Sequence, residues 1–207
     1  MIIAAEGPTA AGKTTWCRRH APFVRFVPEY SPTGLEPSGL DLDAQAHYWV
    51  DVNVSRWHQA CTLEESSDLV VCDSDPLKLH YSWCLARLGA APRARWEHEL
   101  ASVRDAFVQR RLGFPDLVFI GLPTAEALAS QRLGDPTRRR RHFELHAMLA
   151  EPLKEWYTAV EALDDTPRVT WELPSGGIPV NVPPPRSDRF RVDLLDALTN
   201  SLPPLPA

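Results

Sequence analysis

The stretch Gly7-Pro8-Thr9-Ala10-Ala11-Gly12-Lys13-Thr14 has the spacing G-x-x-x-x-G-K-T, and those residue types suit one task, the cradling of phosphate oxygens. The glycines let the backbone curl so that successive N–H groups point inward at an anion. Lys13 can then reach the β- and γ-phosphates of a nucleoside triphosphate, and the Thr14 hydroxyl can ligate Mg²⁺. The apolar run Ile2-Ile3-Ala4-Ala5 before the loop reads as a buried strand. A helix is expected to begin at about Gly12, setting its positive end against the same anion. The expected nucleotide-binding set therefore runs from Gly7 to Thr15. A chance match in a surface loop is the competing reading, and the strand before and helix after argue against it.

Phosphoryl transfer also needs a group to orient the acceptor oxygen and positive charge to stabilise the transition state. Two carboxylates qualify for the first: Glu29, directly after Pro28, and Asp73, directly after the apolar run Leu69-Val70-Val71-Cys72. Either could accept the proton of an attacking hydroxyl, or hold Mg²⁺ with Thr14. A surface charge or a helix cap is the structural alternative, and for Asp75 the cap is preferred. Positive charge is concentrated in Arg132 and Arg138-Arg139-Arg140-Arg141, and guanidinium groups bind phosphates through bidentate bonds. A helix presents only part of such a run to one side. Arg138 with one of Arg140 or Arg141 is therefore expected to face nucleotide, against the alternative of a solvated face. Tyr48, Trp49, Trp57, Tyr81 and Trp83 are candidates for stacking on a planar base, with core packing as the competing role. Arg56 is a candidate for a substrate anion.

These residues need a scaffold, and the chain pattern supplies strands alternating with helices. Strands are expected over Met1–Glu6, Phe23–Val27, Leu69–Cys72, Asp116–Leu122 and Arg168–Leu173. Helices are expected from Gly12 to about His20, Asp41 to about Ser67, Leu77 to Leu88 and Arg93 to about Leu112. Thr124 should cap a further helix to about Leu133. Gly134-Asp135-Pro136 then breaks the chain ahead of the arginine run, as a hinge would for a lid at about 132–142. A long helix follows from His142 to about Leu163, kinked or broken near Glu151 by Pro152, and Phe190–Leu202 closes the fold. The pattern describes one α/β domain over 1–202, with a frayed proline-rich tail at 203–207. Parallel sheets of this kind hold ligands at the carboxyl ends of their strands. Gly7, Glu29, Asp73 and Leu122 all fall just past such ends.

Bulk properties exclude several classes. A length of 207 residues suits one domain with a substantial core. A net charge of -5 argues against a general nucleic-acid binder, which needs a basic surface. No run approaches the ~20 apolar residues of a membrane span, and the chain enters a strand at once without a signal-type segment. Cys17, Cys61, Cys72 and Cys84 have neither C-x-x-C nor zinc-ligand spacing, so a reduced cytoplasmic setting is expected. Only Lys13, Lys78 and Lys154 of the 22 basic residues are lysine. That bias reads as GC-rich coding from an actinobacterial type of source.

With these residues placed, the chain from 1 to about 173 resembles the deoxynucleoside kinase and thymidylate kinase group of P-loop phosphotransferases, and it also looks like actinobacterial P-loop ATP-binding proteins. The resemblance rests on the phosphate loop, on Pro28-Glu29, on Asp73, and on the arginine segment before Phe143-Glu144-Leu145-His146. It implies a three-layer α/β/α fold with a parallel five-stranded sheet in the order 2-3-1-4-5 and a helical lid. It also implies ATP with Mg²⁺, a homodimer in many members, and the role of base at the acceptor hydroxyl for Glu29. One departure stands out: the group carries arginine after the acidic residue of the third strand, and here that position is Ser74. In nucleoside monophosphate kinases that arginine binds the acceptor's phosphate. A serine flanked by Asp73 and Asp75 should repel one.

The expected activity is therefore ATP- and Mg²⁺-dependent phosphorylation of a small-molecule hydroxyl, with a nucleoside or nucleoside-like compound first. Lys13, Glu29, Asp73 and Arg138 form the expected catalytic set. Arg132, Arg138 and Arg140 join the loop in nucleotide binding, and Glu29, Tyr48, Trp49, Arg56 and Trp83 form the acceptor site. A nucleoside monophosphate kinase is the enzymatic alternative. A nucleotide-dependent regulatory ATPase is the alternative of another class, opposed by the lack of a D-x-x-G sequence after a central strand.

Overall fold

A computed structural model describes residues 1–21, 25–37, 41–124, 126–127, 143–163, 168–179 and 184–206. Its elements are β1 (Ile2–Glu6), α1 (Lys13–His20), β2 (Phe26–Val27), α2 (Leu42–Glu64), β3 (Val70–Asp73), α3 (Leu79–Arg87) and α4 (Arg93–Val108). They continue with β4 (Leu117–Ile120), α5 (Phe143–Met148), α6 (Ala150–Glu161), β5 (Val169–Thr170) and α7 (Val192–Ser201). The sheet has five parallel strands in the order β2-β3-β1-β4-β5, the expected order of the P-loop kinases.

Both faces of the sheet are covered, as the continuous apolar strands require. Ile2, Ala4, Val70, Cys72, Val118 and Ile120 join the larger core beneath the main helical layer, with Trp57, Trp83, Phe107, Trp156 and Leu195. The alternate residues Met1, Ile3, Ala5, Val71, Leu117 and Phe119 pack with Trp16 and Cys17 of α1 on the other face. The two-residue period of a strand produces that division. Two registers then assemble the working edge: Ala5 pairs with Asp73, and Glu6 pairs with Ile120.

Several boundaries differ from the sequence expectation for local reasons. The long helix expected to Leu163 is, over the described residues, two helices that meet at Leu149, two residues before the break expected near Glu151. Pro152 sits in the first turn of α6, where the missing N–H has no intrahelical acceptor to lose. The helix expected from Leu77 starts only at Leu79, because Lys78 takes a left-handed conformation (φ 49°). Asp75 instead accepts from Leu77 N at 2.9 Å and closes a turn. Asp41 caps α2, accepting from Ala44 N at 2.7 Å, and Thr124 Oγ1 accepts from Ala127 N at 3.2 Å. Leu205 of the tail expected to fray packs, partly buried, against the main core. The expected lid, with Arg132, Arg138, Arg140 and Arg141, lies outside the described residues.

Candidate active site

The phosphate loop connects β1 to α1 and takes its shape from three positive φ angles, at Gly7 (152°), Ala10 (66°) and Gly12 (83°). Gly7 has a further constraint, since a Cβ there would lie 2.3 Å from the Gly121 carbonyl oxygen. No side chain fits between the loop and the end of β4. Lys13 is folded over the loop, its Nζ donating to Gly7 O at 2.7 Å and Pro8 O at 3.3 Å. Backbone carbonyls thus hold the ammonium where phosphate oxygens would compete for it. Trp16 Nε1 donates to Pro174 O at 2.8 Å, tying α1 to the loop after β5.

Thr14 and Asp73 meet across the end of β3. Both line one cavity; burial raises the Asp73 pKa, and the nearby Thr14 hydroxyl works against that rise. Asp73 Oδ1 is buried and has no hydrogen-bond partner among the described residues. A buried carboxylate oxygen left open beside a hydroxyl is a donor set that fits Mg²⁺. Among the described residues no cluster of three or more His, Cys, Asp or Glu is placed to hold a metal. The remaining positions would fall to phosphate and water oxygens, the usual arrangement for this cation.

Two residues that sequence reasoning passed over stand at the centre of the site. Glu6, the last residue of β1, is 2 % exposed. Its Oε1 accepts from Gly7 N at 2.8 Å and its Oε2 from Asp75 N at 3.1 Å. Lys13, Lys78 and His80 surround it at 3.9, 3.5 and 3.3 Å. Burial works to raise its pKa, and the Lys78, His80 and Lys13 charges overcome that and hold it well below the carboxylate range. Lys78 Nζ also donates to Glu29 Oε1 at 3.2 Å and to Ser74 Oγ at 3.1 Å. The signal for both was present in the strand end at position 6 and in a sequence with only three lysines.

Glu29 lies just past β2 with its side chain 42 % exposed. Partial burial raises its pKa, but Lys78 and then Lys13 bring it below the ordinary value. Asp75 does not flank the site as expected. It turns inward, accepting from Tyr157 Oη at 2.9 Å, and Tyr157 Oη in turn lies 3.4 Å from His80 Nδ1. The predicted repulsion around Ser74 therefore loses one of its two carboxylates.

The acceptor-site candidates separate. Trp49 and Arg56 line a cavity of about 160 Å³ with Tyr30, Asn53, Tyr81 and Glu99, which opens beside Glu29, Ser74 and Lys78. The Arg56 guanidinium is committed to backbone, donating to Pro28 O at 3.1 Å, Asp73 O at 2.6 Å and Ser74 O at 3.0 Å. It clamps the ends of β2 and β3 together through Nε and NH2 while the residue lines the cavity. Tyr48 is turned to Tyr30, their hydroxyls 2.9 Å apart. It supports the cavity from behind instead of lining it. Trp83 is 1 % exposed and packs against Trp156 in the core, and Trp57 is likewise buried. Both follow the core reading, and Trp83 is no part of the acceptor cavity. A second cavity of about 320 Å³ runs from Gly7, Pro8, Thr9 and Lys13 past Glu29 and Lys78 to His146 and Leu149. The two cavities share Glu29, Tyr30, Lys78 and Tyr81. No helix among the described residues is long and apolar enough to cross a membrane.

Neither a protein-family profile nor a curated protein sequence matches the chain. Its backbone does match solved structures. Deoxyadenosine kinase from M. mycoides with bound dATP superposes with a TM-score of 0.55 at 14% identity, over 84% of this chain and 91% of that one. The same kinase with the products dCMP and dCDP gives 0.54 at 14%, over 97% and 96%. With bound dCTP it gives 0.54 at 13%, over 98% and 100%. At this identity the likeness speaks for architecture alone: the chain has the P-loop kinase fold of deoxyadenosine kinases.

Proposed function

We propose that the chain is an ATP- and Mg²⁺-dependent phosphotransferase that phosphorylates a hydroxyl of a nucleoside or nucleoside-like compound. The observation that carries this reading is the meeting of two cavities at Glu29 and Lys78, one floored by the phosphate loop and one walled by Trp49, Tyr30 and Tyr81. A donor and a planar acceptor placed in them would face each other across a carboxylate. The nucleotides bound by the fold neighbours, dATP and dCTP, are consistent with such a pair of ligands.

In this reading the loop amides and Lys13 hold the β- and γ-phosphates. Thr14 and Asp73 would hold Mg²⁺, which supplies charge neutralisation on the phosphates when bound. Glu29 takes the proton of the acceptor hydroxyl, and Arg132, Arg138 and Arg140 are the further candidates for binding the nucleotide's phosphates. Glu29 is preferred to Asp73 as the base because it borders the acceptor cavity, whereas Asp73 faces Thr14. Before transfer Lys78 is paired with both Glu29 and Glu6, so a ground-state acceptor phosphate would compete with two carboxylates for it, which favours a neutral hydroxyl over a monophosphate as acceptor.

The protein is to be incubated with MgATP and, separately, deoxyadenosine, deoxycytidine, dAMP and dCMP, with ADP formation followed. ADP that appears only with the nucleosides supports the proposal. ADP that appears only with the monophosphates makes it a nucleoside monophosphate kinase, and release indifferent to every acceptor makes it an ATPase. Lys13→Ala is expected to reduce transfer at least ~10²-fold, and a variant as active as the parent sinks the phosphotransferase assignment.

A further inference from the structure

Ser74, which stands where the resembled kinases carry arginine, is buried and left-handed at φ 68°. Four residues on, Lys78 is left-handed too, and its side chain returns over Ser74 to lie between Glu29 and Glu6. The other oxygen of Glu6 faces Lys13 at 3.9 Å. One buried carboxylate thus spaces two ammonium groups, one from the phosphate loop and one from the acceptor side. Both line the 320 Å³ cavity, and Lys78 with Glu29 continues into the aromatic one. Burial works to lower the Lys78 pKa, but Glu6 and Glu29 hold it above the ordinary lysine value.

The geometry points to Lys78 as the acceptor-side cation of phosphoryl transfer, set opposite Lys13 by Glu6 so that the two lysines clamp the phosphoryl group in flight. This rests on the phosphotransferase reading above. In the transfer, the acceptor oxygen bonds to the γ-phosphorus and the bond to the β–γ bridging oxygen breaks. Its electron pair leaves with the nucleoside diphosphate, and the hydroxyl proton passes to Glu29. As Glu29 is neutralised it loses the negative charge that Lys78 faced, while charge grows on the phosphoryl oxygens beside it. The ammonium changes partner without travelling, which is how a fixed charge can favour a transition state over a ground state. The cation comes from Lys78, the residue that caps the next helix.

MgADP with aluminium fluoride mimics the phosphoryl group in flight, with water in the acceptor position, so its retention reads the clamp directly. Lys78→Met is expected to weaken that complex ~10²-fold, with MgADP alone changed by no more than about threefold. Lys78→Arg, which keeps the charge, should hold the complex within about tenfold of the parent. Lys78→Gln replaces the methionine variant if circular dichroism shows that the latter does not fold. Retention equal to the parent's in the methionine or glutamine variant overturns the inference, and so does a parallel loss of MgADP alone. In turnover with deoxyadenosine or deoxycytidine, Lys78→Met should lower kcat ~10²-fold with KM for ATP little changed. A parent protein that turns over neither nucleoside yet loses the fluoride complex on Lys78→Met refutes the nucleoside reading and upholds the clamp.

Discussion

Glu29 combines a solvent-reaching side chain with a close ammonium, and that combination decides what its replacement would do. Its pKa is drawn below the ordinary carboxylate value because Lys78 and Lys13 outweigh its partial burial. The carboxylate, the form that accepts a proton, therefore persists to lower pH than in a free glutamate. If Glu29 is the base, the acid limb of kcat/KM lies below about pH 4.3, the free-glutamate value, and activity falls as pH drops through the folded-state pKa. Glu29→Gln keeps shape and removes the base. It is expected to cut transfer ~10²–10⁴-fold with MgATP affinity retained, read by initial rates and calorimetry side by side. An acid limb unmoved in position and a rate near the parent's would move the role to Asp73. At the same scale, Trp83 and Tyr81 show how little a residue type says by itself. They are two positions apart on α3, so roughly 200° of helix rotation separates them, and one is core while the other lines both cavities.

At the scale of elements, the site depends on how strand ends and helix starts are locked. Arg56 of α2 joins the carboxyl ends of β2 and β3 through three carbonyl bonds, so a helix outside the sheet sets the spacing between Glu29 and Asp73. The α3–α4–α6 layer beneath is held by Trp156, fully buried, with its ring centroid 6.0 Å from Trp83 and 5.9 Å from Trp96. Trp156→Ala should cost about 3–5 kcal/mol in denaturant unfolding through the cavity left behind. Pro152→Ala, at a buried position four residues earlier in α6, should cost only about 1 kcal/mol, from lost packing and a freer unfolded chain, because a first-turn proline removes no helical bond. A large destabilisation by Pro152→Ala would show the α5–α6 break at Leu149 to depend on the proline. The sequence pointed to a break near Glu151, and the structure has it two residues earlier, at Leu149.

At the scale of the molecule, the two edges of the sheet do different work. The carboxyl edge gathers Glu6, Glu29, Asp73 and the phosphate loop. The opposite edge is stitched by ions: Asp116 is fully buried and accepts from Ile2 N at 2.6 Å and Arg186 N at 2.8 Å. Arg189 joins it to Glu64 of α2, with Nε at 2.7 Å from Asp116 and NH1 at 2.6 Å from Glu64. Burial works to raise the Glu64 pKa, yet the Arg189 bonds and charge bring it to about 2. A depressed carboxylate stabilises the fold above its unfolded-state value near 4.3 and loses that contribution as pH falls toward the folded value. Arg189→Met is accordingly expected to cost about 3–5 kcal/mol at neutral pH, since it strands the Asp116 charge. The deficit should shrink between about pH 4.3 and 2 as Glu64 protonates, measured as urea midpoints across that range. A deficit independent of pH would assign the loss to packing alone.

The phosphate loop, the alternation of strands and helices, and the strand-end positions of Glu29 and Asp73 were determined by sequence alone. They depend on contiguous residues, whose backbone conformation and two-residue or 3.6-residue period are local properties. Tertiary structure decided everything that required two distant segments to meet. Lys78 reaches Glu29 and Glu6 only because the register of β1 against β3 and two left-handed residues bring it back over Ser74. Asp75 turns inward to Tyr157 and Arg56 to carbonyls, choices set by what the neighbouring helices leave unpaired. Side-chain direction across a fold is fixed by packing and hydrogen-bond satisfaction, and neither is written in spacing along the chain.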